Sequence, residues 1–239
     1  MSRRLAALIW LRGQVILSNK SILLQILIPF AFTYFYKYLY GMDGGANTEQ
    51  MRMLLMLCLP FSLTLAVGNP ISAILSEEKE KNNLRTLLLS GVRNGEYIAA
   101  TIAFPLVLTF LVLLAIPMIL EVSLSGQLLN YIGILFLTAL AVILLYLLIG
   151  LVSRNQVTAQ VISLPAMLFI IFLPMVSTID KTVTKLTDYS FMGLMTKLFS
   201  DWDDFTWDRS LFQILSLFSW IILLIILNSL AIKNNKKIK

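Results

Sequence analysis

The sequence predicts an all-α integral membrane protein with six transmembrane helices, and three observations predict it. Of its 239 residues, 58% are hydrophobic and only 13% charged, about half the charged fraction of an ordinary soluble domain. The charges are placed so that six uncharged stretches remain, each near the about 20 residues that a bilayer core requires. These runs lack the short alternation of a membrane barrel, and lipid cannot satisfy an open sheet, so they read as helices. Such a composition excludes a soluble enzyme. Histidine is absent, which also excludes a Ser-His-Asp triad or a His-containing zinc site within this chain.

The first element, 1–19, places Arg3 and Arg4 before the short apolar run Leu5 to Leu11, which Arg12 interrupts. No small-residue cleavage site follows, so the segment reads as an uncleaved interfacial helix rather than an export signal. Its amphipathicity is imperfect. At about 100° per residue, Arg12 shares a face with Leu5 and Ile16.

Span one, 21–40, is extended by a snorkelling Lys37 and by the aromatic belt Phe35, Tyr36, Tyr38 and Tyr40. Spans two (53–75), three (97–120) and five (157–178) are free of charge along their length. Span four, 128–152, begins after the turn-like Ser123-Leu124-Ser125-Gly126-Gln127, and span six covers 210–232. All seven prolines fall inside or at the ends of these spans, where membrane helices accommodate them as kinks. Cys58, the single cysteine, lies in an apolar run and reads as a small packed hydrophobe.

Orientation follows from the distribution of basic residues. Thirteen of the nineteen lie on the side of the termini, and nine of the thirteen acids lie on the other. Both termini are therefore expected in the cytoplasm, and the formal charge of +6 is accounted for by topology and anionic headgroups rather than by a nucleic-acid partner.

The remaining acids, Glu77, Glu78, Glu80 and Glu96, all fall between spans two and three. Glu77 and Lys81 have the i,i+4 spacing of a solvated helix, and Leu84, Leu87 and Leu88 form an apolar face that Ser90-Gly91 ends. Periodicity alone leaves two readings of 76–91 open. One is a helix that docks in a partner's groove, and the other is a solvated turn whose leucines rest on the membrane.

The run Glu78-Lys79-Glu80, then Leu84-Arg85-Thr86-Leu87-Leu88-Leu89-Ser90, Val92-Arg93 and Glu96-Tyr97, resembles the cytoplasmic coupling region of ABC-2 type transporter permeases. Gly91 replaces a common proline, and Asn82-Asn83 stands where a glycine is often found. The likeness extends to the layout of the whole chain. It implies a permease half of an ATP-driven exporter, not itself an enzyme, in the plasma membrane of a bacterium. Glu77, Glu78, Glu80, Arg85 and the face Leu84, Leu87 and Leu88 would dock into a P-loop ABC ATPase dimer. That partner would bind ATP and Mg, because this chain contains no G-x-x-x-x-G-K-[ST] loop and needs no cofactor of its own. A second permease half, identical or sibling, would complete the path. By analogy, Phe30, Phe32, Tyr34 and Phe35 would line that path or the dimer interface, against a plainer reading as belt and packing residues.

Beyond span five, 180–208 is expected to form short extracellular helices, with Leu186 to Leu198 re-entrant or interfacial and too short and polar to span. Asp201, Asp203, Asp204 and Asp208, interleaved with Trp202 and Trp207, fail the spacing of a Ca²⁺ loop, so they read as an acidic collar with tryptophans at headgroup level. Glu121 is expected to face headgroups or water. Few ionisable groups lie within the spans, which disfavours a proton- or ion-coupled transporter and an intramembrane aspartyl enzyme. The same scarcity favours a membrane-associated cargo: an amphipathic or antimicrobial peptide, a peptide toxin or a hydrophobic drug. Glycan, lipid and haem-related export by related permeases stay open.

Overall fold

The structure is a computed structural model and describes residues 2–42, 48–81, 83 and 94–237, with side chains over 6–41, 49–81, 83 and 95–233. Among the described residues there is no strand. Among the same described residues, six helices are long and apolar enough to cross a membrane: Lys20–Gly41, Glu49–Glu80, Gly95–Ile119, Leu128–Val152, Gln156–Ser177 and Asp208–Lys233. The predicted all-helical, six-span class is therefore what the chain adopts.

In chain order the helices are α1 (Ser2–Ser18), α2 (Lys20–Met42), α3 (Thr48–Ser62), α4 (Asn69–Glu80) and α5 (Asn94–Ile119). They continue with α6 (Leu128–Val152), α7 (Gln156–Ser177), α8 (Lys181–Asp188), α9 (Gly193–Ser200) and α10 (Leu211–Lys237). A π-helical turn, Leu63–Gly68, joins α3 to α4, so the two make one long span.

Local chemistry sets the boundaries. Asn19 separates α1 from α2, its Oδ1 accepting from the Ser21 N–H at 3.1 Å, which satisfies an orphan donor of the helix start. Asn155 caps α7 through Thr158 N–H at 2.8 Å, and Asp180 caps α8 through Thr182 N–H at 2.6 Å. The N–H groups of Val183 and Thr182 hold the Asp180 carboxyl below its ordinary range. At the end of α5, Val122 N–H reaches Pro117 O at 3.0 Å and Glu121 N–H reaches Met118 O at 3.3 Å. This is a Schellman closure, with Glu121 at φ 56° in the left-handed position that glycine usually fills.

Span two forms the axis of the bundle. In its most apolar window 78% is buried, against 17% for span one, 33% for span five and 28% for span six. Close approach makes this possible. A Cβ on Gly150 of α6 would lie 2.8 Å from Leu75 Cβ and 3.1 Å from Ser72 Cα, so glycine lets α6 sit directly on α4. Ser72 and Ser163 hydroxyls meet at 3.3 Å between α4 and α7.

At the end of the bundle away from the termini, Arg52 of α3 forms a two-pronged pair with Asp203 at 2.8 and 3.1 Å and lies 5.5 Å from the Trp202 ring centre. Trp202 is buried and stacks on Phe199 at 5.7 Å, with Tyr131 edge-on at 6.4 Å. It is thus a packing anchor and not a headgroup residue, whereas Trp207 is exposed and donates to Asn130 Oδ1 at 3.0 Å. Glu121 points outward and pairs with Lys37 at 2.7 Å. Leu186 to Leu198 is not one helix. It breaks at Tyr189–Met192, where Ser190 Oγ donates to Thr187 O at 2.7 Å and accepts from Met192 N–H at 3.1 Å, diverting the backbone from helical pairing.

Candidate coupling site at the end of span two

The helix of span two does not stop where the apolar run ends. It continues through Ser76 and the charged turn Glu77–Glu80, so these residues are the last turn of a membrane helix, not the start of a separate one. Their side chains radiate to four other helices.

Glu78 faces α1 and α5. Arg12 grips it with both terminal nitrogens, Nη1 on Oε1 and Nη2 on Oε2, the latter at 2.9 Å. The Tyr97 hydroxyl also donates to Glu78 Oε2. The Arg12 guanidinium lies 4.9 Å from the centre of the Tyr97 ring, adding a cation–π contact to the ion pair. The side chains of Arg12 and Glu78 are 5% and 13% exposed, so both charges are withdrawn from water and depend on each other.

Lys79 turns toward α6 and donates to Leu151 O at 2.5 Å, near the end of that helix. An ammonium there meets the carbonyl-rich terminus and its negative dipole end. Glu80 does the converse at the start of α7, its Oε2 accepting from the Gln156 N–H at 3.1 Å, where a carboxylate suits the positive end of the dipole. Glu77 pairs with Lys81 at 2.6 Å along the helix, on its outer side.

Three of the expected coupling residues, Glu77, Glu78 and Glu80, are thus described, and each has a partner inside the chain. Leu84, Arg85, Leu87 and Leu88 lie outside the described residues. Sequence reasoning missed Arg12 and Tyr97. The signal was the anomaly of Arg12 on the apolar face of α1: that face packs Ile16 into the bundle with Ile22 and Ile74, and carries Arg12 to Glu78.

The four aromatics of span one do not act as one surface. Phe32 packs on Phe61 at 4.4 Å and on Tyr36 at 4.5 Å, and Phe30 rests against the core. Tyr34 and Phe35 point out of the bundle.

The last turn of span two is thus joined to α1, α5, α6 and α7 by charged or hydrogen-bonded contacts. Comparison with known proteins places the chain in a family. A family model described as ABC-2 type transporter matches residues 3–186. A search of curated proteins and a search of solved structures each return no match. The matched stretch runs from α1 through the first five spans and includes every residue of the Arg12–Glu78–Tyr97 cluster, and the chain belongs to the ABC-2 type transporter family.

Proposed function

We propose that this chain is the permease half of an ATP-driven exporter, and that the charged last turn of α4 receives the motion of a separate P-loop ATPase dimer. The observation that carries this reading is the convergence of Glu78, Lys79 and Glu80 on four neighbouring helices. In this reading ATP and Mg bind to the partner, and Arg85 with Leu84, Leu87 and Leu88 supplies the contact to it. Glu78 and Glu80 then work inward, passing that motion to the bundle. The termini face the cytoplasm, as the thirteen basic residues on their side favour.

The slight burial of spans one, five and six supports a second permease half, identical or sibling, across which the path is completed. A cargo already held by the membrane suits spans so poor in ionisable groups: an amphipathic peptide, a peptide toxin or a hydrophobic drug. The test is co-purification of the chain with a P-loop ATPase and vanadate-sensitive ATP hydrolysis in lipid. Arg85→Glu, which leaves the buried Arg12–Glu78 pair intact, should lower cargo-stimulated hydrolysis at least tenfold. Unchanged coupling removes the reading.

A further inference from the structure

Span two carries a surplus residue. Over Leu63–Gly68 the backbone pairs five residues back, as in Asn69 N–H to Thr64 O, instead of four. The turn is bracketed by Pro60 and Pro70, neither of which has an N–H to donate. Hydroxyls take up carbonyls around it: Ser62 on Cys58 O at 2.6 Å, and Thr64 on Pro60 O and Phe61 O at 3.0 and 2.9 Å. Gly68 packs closely against the Tyr146 ring, where a Cβ would come within 2.5 Å of a ring carbon, so the turn passes Tyr146 without a side chain of its own there.

The two halves joined by this turn are separately anchored. Arg52 fixes α3 to Asp203 and Trp202, and Glu78 fixes α4 to Arg12 and Tyr97. Each α-helical residue turns about 100° and rises about 1.5 Å. If Leu63–Gly68 closed to ordinary α geometry, α4 would turn by about that angle relative to α3, and each site on α4 would pass to the preceding residue. Ile71 would replace Ser72 opposite Ser163, and Glu77 would replace Glu78 opposite Arg12. The glutamate pair Glu77-Glu78 thus leaves Arg12 a carboxylate in either register. The other two contacts do not survive the exchange. Glu78 would face the Leu151 carbonyl and Lys79 the Gln156 N–H, each like against like. The resting register is therefore favoured, and a second, defined register lies beside it, reachable only when something moves the end of α4.

We propose that the π-helical turn Leu63–Gly68 is a register switch: it closes to α geometry during the transport cycle and rotates α4 against α3. The proposal rests on the transport reading above, and its experiment has one arm that does not. In the chain alone, carrying Cys58→Ala in lipid nanodiscs, deletion of Ala66 should remove the surplus residue and leave the flanks in register. A Ser72→Cys/Ser163→Cys disulfide should then form as fully as in the undeleted chain, with slower hydrogen exchange over 64–70. Loss of that disulfide on deletion overturns the surplus residue and with it the switch.

The second arm uses the complex with its ATPase. Vanadate trapping should lower the 72–163 disulfide at least fivefold and raise an Ile71→Cys/Ser163→Cys disulfide by a similar factor. An unchanged 72–163 yield, or a fall with no rise at 71–163 above an Ala73→Cys/Ser163→Cys control, overturns the rotation. Failure of the unmodified complex to hydrolyse ATP removes the transport reading instead, and the deletion arm still decides whether Leu63–Gly68 holds a surplus residue.

Discussion

Arg12 and Glu78 stand 66 positions apart in sequence and meet as a two-pronged ion pair, with side chains 5% and 13% exposed. The pair ties the helix that precedes the first span to the last turn of the second. Removing one member strands the other charge away from water, which costs about 3–5 kcal/mol. Arg12→Ala is expected to lower stability by about that amount in denaturant unfolding of the detergent-solubilised chain. Arg12→Met with Glu78→Met should recover most of it, while the double variant loses any coupling carried through α1. A loss in the double variant equal to the sum of the losses in Arg12→Met and Glu78→Met alone would show that the pair contributes no mutual stabilisation.

Glu121 closes α5 in a left-handed conformation, φ 56°, while pairing with Lys37 on the exposed surface. The backbone cost for a residue with a Cβ is about 1–2 kcal/mol, and a solvent-screened exposed pair returns less than that. Glu121→Gly should therefore raise Tm slightly, and Lys37→Ala should lower it by less than that gain. A fall in Tm for Glu121→Gly would mean the ion pair dominates this corner.

Gly150 sits where a Cβ would meet Leu75 Cβ at 2.8 Å and Ser72 backbone atoms at 3.1 and 3.2 Å. Gly150→Ala should destabilise the chain by about 1–3 kcal/mol. Trimming the neighbour with Leu75→Ala should not rescue it, because the backbone of α4 cannot withdraw. Full rescue in thermal unfolding would show that the side chain alone sets the spacing.

Arg52 holds the Asp203 carboxyl below its usual range. Because the folded-state pKa is depressed, the stability this pair contributes is complete above the unfolded carboxylate value, about 4. It is lost as pH falls through the lower folded value. In a variant with Trp10, Trp207 and Trp220 replaced by Phe, emission from Trp202 should be flat above about pH 5 and change only below about pH 4, as Arg52 is released from Asp203 and moves over the ring. Arg52→Met should abolish that change. An unaltered profile in Arg52→Met would assign it to another group.

The spans were legible because desolvating a charge in lipid is so costly that uncharged runs mark them directly. Their ends were less so. Lys79 and Glu80 read as part of a separate cytoplasmic helix or turn over 76–91, yet they extend α4 by meeting the termini of α6 and α7, partners 72 and 76 positions away. The burial of Trp202 was hidden for the same reason, since Arg52 and Asp203 are 151 positions apart. Pro60 and Pro70 marked a disturbance in span two, but hydropathy is uniform across Leu63–Gly68 and carries no trace of a changed hydrogen-bond register. Arg12 was visible as a breach of amphipathicity, and only its partner was missing.

Asn228 of α10 donates through Nδ2 to Leu144 O, inside α6, at 2.9 Å. The Leu144 carbonyl already belongs to the ladder of its own helix, and it takes this second donor from a residue of the sixth span, which leaves the ribosome 84 positions later. During synthesis the face of α6 that α10 covers waits in the bilayer for its partner. A chain cut before α10 should be held by membrane insertion and quality-control machinery, because assembly of this bundle cannot be completed in the order in which it is translated.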